Sequence, residues 1–231
     1  MRWLGLRVVS ILTCGFWTGG AGCGSTRAME TLLAGYRRFR AGVWPGQRAA
    51  YEALAEAGQA PVAAVVACAD SRLDPAAIFD AAPGQLFSIR NVANLVPPYA
   101  PDAAYHGTSA ALEFAVRGLG VPHLVVLGHA QCGGVRALME GDGGLTDFLG
   151  AWMKIAEPAR MRALACDDPA IDAAVEAEHA VVRLSLENLR TFPWIAERIA
   201  DGRLGLHGAY YGIASGVLQV MRPDGVFTPA I

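Results

Sequence analysis

The sequence predicts an α/β fold: a mainly parallel central β-sheet flanked by helices. Three observations carry that reading. Short apolar runs recur at Val62–Ala67 and His123–Gly128, continuous rather than alternating, as in strands covered on both faces. Helix-like segments separate the runs, and strand–helix alternation favours parallel pairing. Hydrophobic residues make up 53% of the 231 and charged residues 17%. That suffices for one sizeable core and is too apolar for a disordered chain.

Along the chain, residues 29–57 read as helical. Leu32, Leu33, Tyr36 and Phe39 share a face at helical spacing, and Pro45 separates that helix from a second around Gln47–Ala57. After Gly58–Pro61 comes the first strand, ending at Cys68. Asp74-Pro75 suits an N-cap followed by proline at the first helical position. Gln85–Arg90 is a second strand, and Ala103–Leu119 a helix closed by glycine. His123–Gly128 is a third strand, ending at His129, and Gly133-Gly134 opens a helix through Met139. Leu145–Ile199 is largely helical, interrupted by Pro158, Pro169 and Pro193. Arg203–Tyr210 and Val217–Met221 supply the last strands. No internal repeat and no linker interrupts residues 29–231, which read as one domain.

Residues 1–28 stand apart. A basic start, an apolar stretch containing Arg7 and a run of small residues outline a signal peptide, and Gly22-Cys23 suggests a lipoprotein cleavage site. The apolar stretch is short for that role. The favoured reading starts translation at Met29, with the leader as upstream sequence read in error. That reading places the protein in the cytoplasm; a working signal would make it periplasmic or exported. No later stretch is long and apolar enough to span a bilayer, so no membrane partner is expected. The net charge of −2, without a basic block, argues against nucleic acid. Arg37-Arg38-Phe39-Arg40 reads as a solvated helix face. Five cysteines (Cys14, Cys23, Cys68, Cys132, Cys166) at irregular spacing make a poor disulfide framework and suit reduced thiols or metal ligation.

Two segments carry chemistry, and both follow buried strands, where open α/β sheets place their sites. Cys68-Ala69-Asp70-Ser71-Arg72 follows the first strand, and Gly128-His129-Ala130-Gln131-Cys132-Gly133 ends the third. Two thiols and one imidazole suit zinc, and three protein ligands leave a fourth tetrahedral position open for catalysis. Each piece alone has an ordinary explanation: a buried small cysteine, a core histidine, a surface ion pair. Their occurrence at two equivalent strand ends favours the metal.

Cys-x-Asp-Ser-Arg followed by Gly-His-x-x-Cys-Gly resembles the signature of β-carbonic anhydrases, plant-type branch. The resemblance extends through Arg90–Pro98, Thr146-Asp147-Phe148, Glu187-Asn188-Leu189 and Gly208–Tyr211, covering about Met29 to Met221. It implies one Zn²⁺ per subunit on Cys68, His129 and Cys132, and Asp70 with Arg72 as a catalytic dyad. It implies Gln59, Phe87, Val92 and Gly133 as substrate-pocket residues. The activity implied is reversible hydration of CO₂ to bicarbonate and a proton through zinc-bound hydroxide, with Asp70 orienting the attacking oxygen and Arg72 holding Asp70 ionised. The resemblance also implies a homodimer or higher even oligomer. Its N-terminal helices would extend onto the partner, and Gln59 and Phe87 would reach into the partner's site. One position departs from that branch: Phe114 stands where a tyrosine is usual, so no hydroxyl is offered there. His106, His123, His179 and His207 read as structural or solvated, and Cys166 as inert. The alternatives are a carbonyl sulfide or carbon disulfide hydrolase on the same scaffold, and a non-catalytic bicarbonate sensor. The second would be expected to have lost Asp70, Arg72 or a ligand.

Overall fold

The computed structural model describes residues 24–102, 104–141, 147–166 and 172–231. Cys14, Cys23, Ala103, Leu145, Thr146 and Pro169 lie outside the described residues. The chain divides into two compact units, Met1–Glu52 and Ala53–Ile231.

In the first unit, α1 (Gly24–Arg38) runs into a five-residue π-helical turn, Phe39–Val43, and then into α2 (Trp44–Ala57), whose last five residues belong to the second unit. The expectation that Pro45 separates two helices is corrected: the helix runs on through it. Pro45 has no N–H and crowds the preceding turn. The ladder widens just before it, with the Trp44 N–H reaching back five residues to the Phe39 carbonyl. Met29, Leu32, Leu33 and Tyr36 of α1 are exposed.

The second unit is built on six strands: β1 (Ala63–Cys68), β2 (Leu86–Asn91), β3 (His123–His129), β4 (Gly205–Tyr211), β5 (Leu218–Met221) and β6 (Phe227–Pro229). Their order is β2-β1-β3-β4-β5-β6. The first four are parallel and the last two antiparallel, so the mainly parallel sheet is as expected. The short β6 is an addition; three residues show no periodicity. Helices α3 (Pro75–Ile78), α4 (Gly107–Glu113), α5 (Gly133–Glu140), α6 (Leu149–Met153), α7 (Glu157–Leu164), α8 (Ala173–Leu189) and α9 (Pro193–Ala200) complete the unit. The Asp74 side chain caps α3 through the Ala76 N–H, 3.0 Å, with Pro75 at the first helical position. The expected helix from Ala103 begins only at Gly107 and leaves through a π-helical turn at Phe114–Gly118. Among the described residues no helix is long and apolar enough to cross a membrane.

All six residues of β1 are buried. Val65 and Ala67 enter one core cluster with Leu127, while Ala64 and Val66 enter the other with Leu124 and Val126. Alternate residues therefore feed opposite faces of one sheet, which is why these strands read as unbroken apolar runs. Gly128 has a steric reason: a Cβ there would lie 2.6 Å from Val182 of α8. The glycine lets α8 press against β3 just before His129.

Candidate metal centre

Parallel pairing brings the C-terminal ends of β1 and β3 side by side, with Ala67 opposite Leu127. Cys68 ends β1, His129 ends β3, and Cys132 precedes α5. Their ligand atoms all lie within 4.8 Å of one another, and all three residues are buried. The sulfurs are 3.9 Å apart; two thiolates on one tetrahedral zinc, at about 2.3 Å each, would be about 3.8 Å apart. His129 Nδ1 lies 2.9 Å from the Ala130 carbonyl oxygen, to which its N–H donates. That leaves Nε2 as the bare nitrogen, and it is buried without a hydrogen-bond partner. An orphaned acceptor beside two thiols is costly unless something binds it. The donor set and its spacing fit zinc.

The two thiols share their acidity. The Cys132 thiol donates to Cys68 and pulls its pKa far down against the opposing effect of burial, with His129 and the amides of Asp70 and Ala93 helping. Cys132 is pushed up by the same bond, then by burial. One sulfur is thus poised as thiolate, the form that binds metal.

Asp70 is two residues past Cys68. Its Oδ1 accepts the Arg72 backbone N–H (2.9 Å) and Nε–H (3.0 Å), and its Oδ2 accepts Arg72 Nη2–H (2.7 Å). These bonds hold its carboxyl well below the usual carboxylate range. Oδ2 lies 3.9 Å from His129 Nε2, so the carboxylate borders the cluster. Arg72 also donates to the Gln131 carbonyl, 3.1 Å, tying the two ligand loops together.

Arg90, at the end of β2, is a supporting residue the sequence reading did not single out. Its Nε–H donates to the Cys68 carbonyl (3.0 Å) and Nη2–H to the Asp70 carbonyl (2.7 Å). Glu178 of α8 is a second: it accepts the Cys132 N–H at 2.9 Å and the Tyr210 O–H at 2.6 Å. A signal for Glu178 did exist. It is one carboxylate amid Ala177, Ala180, Val181 and Val182, where an uncharged face is expected.

The pocket residues fall into two groups. Val92 and Gly133 lie near the cluster. Val92 follows β2, its carbonyl accepting the Trp152 indole N–H at 2.9 Å. Gly133 begins α5 and faces open space, whereas a Cβ at Gly134 would lie 2.9 Å from Val92. Gln59 and Phe87 are not brought to the cluster of their own chain. Gln59 precedes β1, at the strand end opposite Cys68, a length of about 20 Å for six residues. Phe87 pairs with Ala64, near the start of β1, and its ring lies 5.8 Å from that of Phe114.

Residues 63–218 match a protein-family profile described as carbonic anhydrase. Beta carbonic anhydrase 5, chloroplastic, of Arabidopsis thaliana is 42% identical over 178 residues, 75% of this chain and 58% of the relative's length. The structure of the beta-carbonic anhydrase CcaA superposes with a TM-score of 0.81 at 32% identity, covering 89% of this chain and 93% of that one. A chain from two tetrameric beta-carbonic anhydrases of the ascomycete Sordaria macrospora gives 0.65 at 28% identity, covering 89% and 98%.

Proposed function

The chain belongs to the β-carbonic anhydrase family, and from that premise we propose that it catalyses the reversible hydration of CO₂ to bicarbonate and a proton with one zinc ion per subunit. The observation that carries the proposal is the buried Cys68–His129–Cys132 triple, whose unpartnered His129 Nε2 lies beside a carboxylate that Arg72 keeps ionised.

Cys68 Sγ, His129 Nε2 and Cys132 Sγ would hold the zinc, which supplies Lewis acidity and makes water a nucleophile near neutral pH. Asp70 accepts a hydrogen bond from the attacking water and fixes the direction of its lone pair. Arg72 keeps Asp70 anionic and keeps its carboxylate turned toward the guanidinium rather than toward the ligands. Val92 gives a small apolar substrate an apolar wall. The Gly134 and Val135 amides, opening α5, donate to the Cys132 sulfur and favour its thiolate form.

Gln59 and Phe87 act in a partner's site: both are at the wrong strand end for their own cluster. Their supply requires at least a homodimer. The exposed apolar residues of α1 and the tetrameric relatives support an even oligomer in which the N-terminal helices extend onto the neighbour. A cytoplasmic location completes the reading, and cell fractionation tests it.

Stopped-flow CO₂ hydration with metal analysis of the same sample tests the proposal. One zinc per chain and rapid, chelator-sensitive hydration are expected. Zinc-loaded protein that releases sulfide from carbonyl sulfide while leaving CO₂ untouched would overturn it.

A further inference from the structure

Among the described residues Glu178 is the one buried carboxylate, and both its oxygens are engaged. We propose that Glu178 is a positioning residue for the metal centre: through the Cys132 backbone it sets where the Cys132 sulfur lies. This rests on the zinc reading above.

The ligand loop turns sharply, with Gln131 in the left-handed region at φ 57°, a conformation that a non-glycine residue holds only when its surroundings impose it. Three bonds impose it. The Ala130 N–H donates to the Tyr211 carbonyl at 2.9 Å. The Gln131 carbonyl accepts from Arg72. The Cys132 N–H donates to Glu178 Oε1, and this last bond is made by the ligand residue itself, one bond from the Cα that carries the sulfur. Glu178 is held in turn by the Tyr210 O–H on Oε2. Burial, then Glu178 itself, push the Tyr210 phenol above its ordinary range, so it stays a donor. One carboxylate thus joins α8, β4 and the ligand loop. Partners of this kind typically change metal affinity about 10–100-fold when removed.

The test compares Glu178→Ala, Glu178→Gln and Tyr210→Phe with Leu189→Ala. Leu189 is buried in the other core cluster and serves as a stability control. Three quantities are read below each variant's unfolding temperature: zinc content, the rate of zinc transfer to a chelator, and the absorption bands of the cobalt-substituted protein. Glu178→Ala is expected to lose zinc roughly 10–100-fold faster and to shift the cobalt bands. Glu178→Gln, whose amide oxygen can still accept the Cys132 N–H, should return to within a few-fold of wild type. Leu189→Ala should lower the Tm yet keep wild-type rate and bands. If Glu178→Ala does not fold, Tyr210→Phe decides, and it must still speed zinc loss. Wild-type rates in both Glu178→Ala and Tyr210→Phe, or in whichever of them folds, overturn the inference alone. A wild-type protein that takes up no zinc overturns the functional reading, and this inference with it.

Discussion

The two loops that carry Cys68, His129 and Cys132 are held by opposite means. Around Cys68, arginines donate: Arg90 to the Cys68 and Asp70 carbonyls, Arg72 to the Asp70 carboxylate. Arg72 is exposed, with 46% of its side-chain surface accessible. Around Cys132 the residue's own N–H is held by a buried acceptor, Glu178 of α8, held in turn by Tyr210 of β4, both far along the chain; Arg72 reaches this loop only at the Gln131 carbonyl. The difference matters energetically. Exposed charge pairs are screened by water and salt, whereas a buried carboxylate must keep every bond or face its full desolvation. The Cys68 loop is therefore open to electrostatic tuning, while the Cys132 loop is a rigid seat.

The largest expected effect is Cys68→Ser, which removes one of the three proposed zinc ligands. It should strip or loosen zinc and abolish hydration, with metal analysis and stopped-flow assay as readouts; unchanged metal content would remove Cys68 from the site. Asp70→Asn acts on the tunable loop only. It should keep zinc while slowing hydration roughly 10–100-fold, and full activity would remove Asp70 from the mechanism. Arg72→Gln sharpens the contrast through pH. Arg72 depresses the Asp70 pKa, so in the wild type Asp70 is ionised across the working range and loses its charge only in strong acid. Without Arg72 its pKa rises toward the ordinary value of about 4. An acid limb should then appear at higher pH in the kcat/KM profile, and an unmoved profile would break the assignment.

The same contrast explains what the sequence could disclose. Cys68, Asp70 and Arg72 are within five residues, and His129 and Cys132 within four, so local spacing next to two apolar runs exposed the whole Cys68–His129–Cys132 cluster. The Arg72–Asp70 pair is two residues apart and readable for the same reason. Glu178 and Tyr210 lie 46 and 78 residues beyond Cys132, and only the fold brings them to it. Pro45 misled because its meaning depends on whether the helix before it can widen by one residue. β1 and β3, at the centre of the sheet, were legible because burial on both faces leaves an unbroken apolar run; β6, on the antiparallel edge, has no such signature.

Neither loop accounts for Gln59, which lies at the far end of β1. Mixing Gln59→Ala protein with Cys68→Ser protein tests whether it acts across an interface. Gln59→Ala alone keeps zinc but lacks the amide, and Cys68→Ser alone lacks zinc. A mixed dimer pairs an intact metal centre with a partner's Gln59. Activity should therefore rise severalfold above the average of the two parents after subunit exchange. Strict additivity, with exchange verified by mass spectrometry, would return Gln59 to the role of a solvated loop residue.

The smallest effect lies behind the rigid seat. His179 follows Glu178 on α8, stacks on Phe227 at 4.2 Å and meets Tyr210 edge-on at 4.5 Å. Its Nε2 is buried without a partner. Burial, then the charge of Arg183, push its pKa down to about 4 from 6.5. Between those values the unfolded chain takes up a proton that the folded chain refuses, so stability falls as pH drops through that window. Because the ring is only partly buried, the loss is on the order of 2 kcal/mol, less than the full shift implies. His179→Phe keeps the stack on Phe227 and removes the titration. Its Tm should fall less steeply than that of wild type between pH 6.5 and 4, by a few degrees. The ligand thiols and Asp70 titrate in both proteins, so the difference between the two curves isolates His179. Parallel curves would mean that the imidazole reaches water through an opening in the Phe227–Tyr210 packing, and that the region behind the Cys132 loop is less dry than its hydrogen bonding requires.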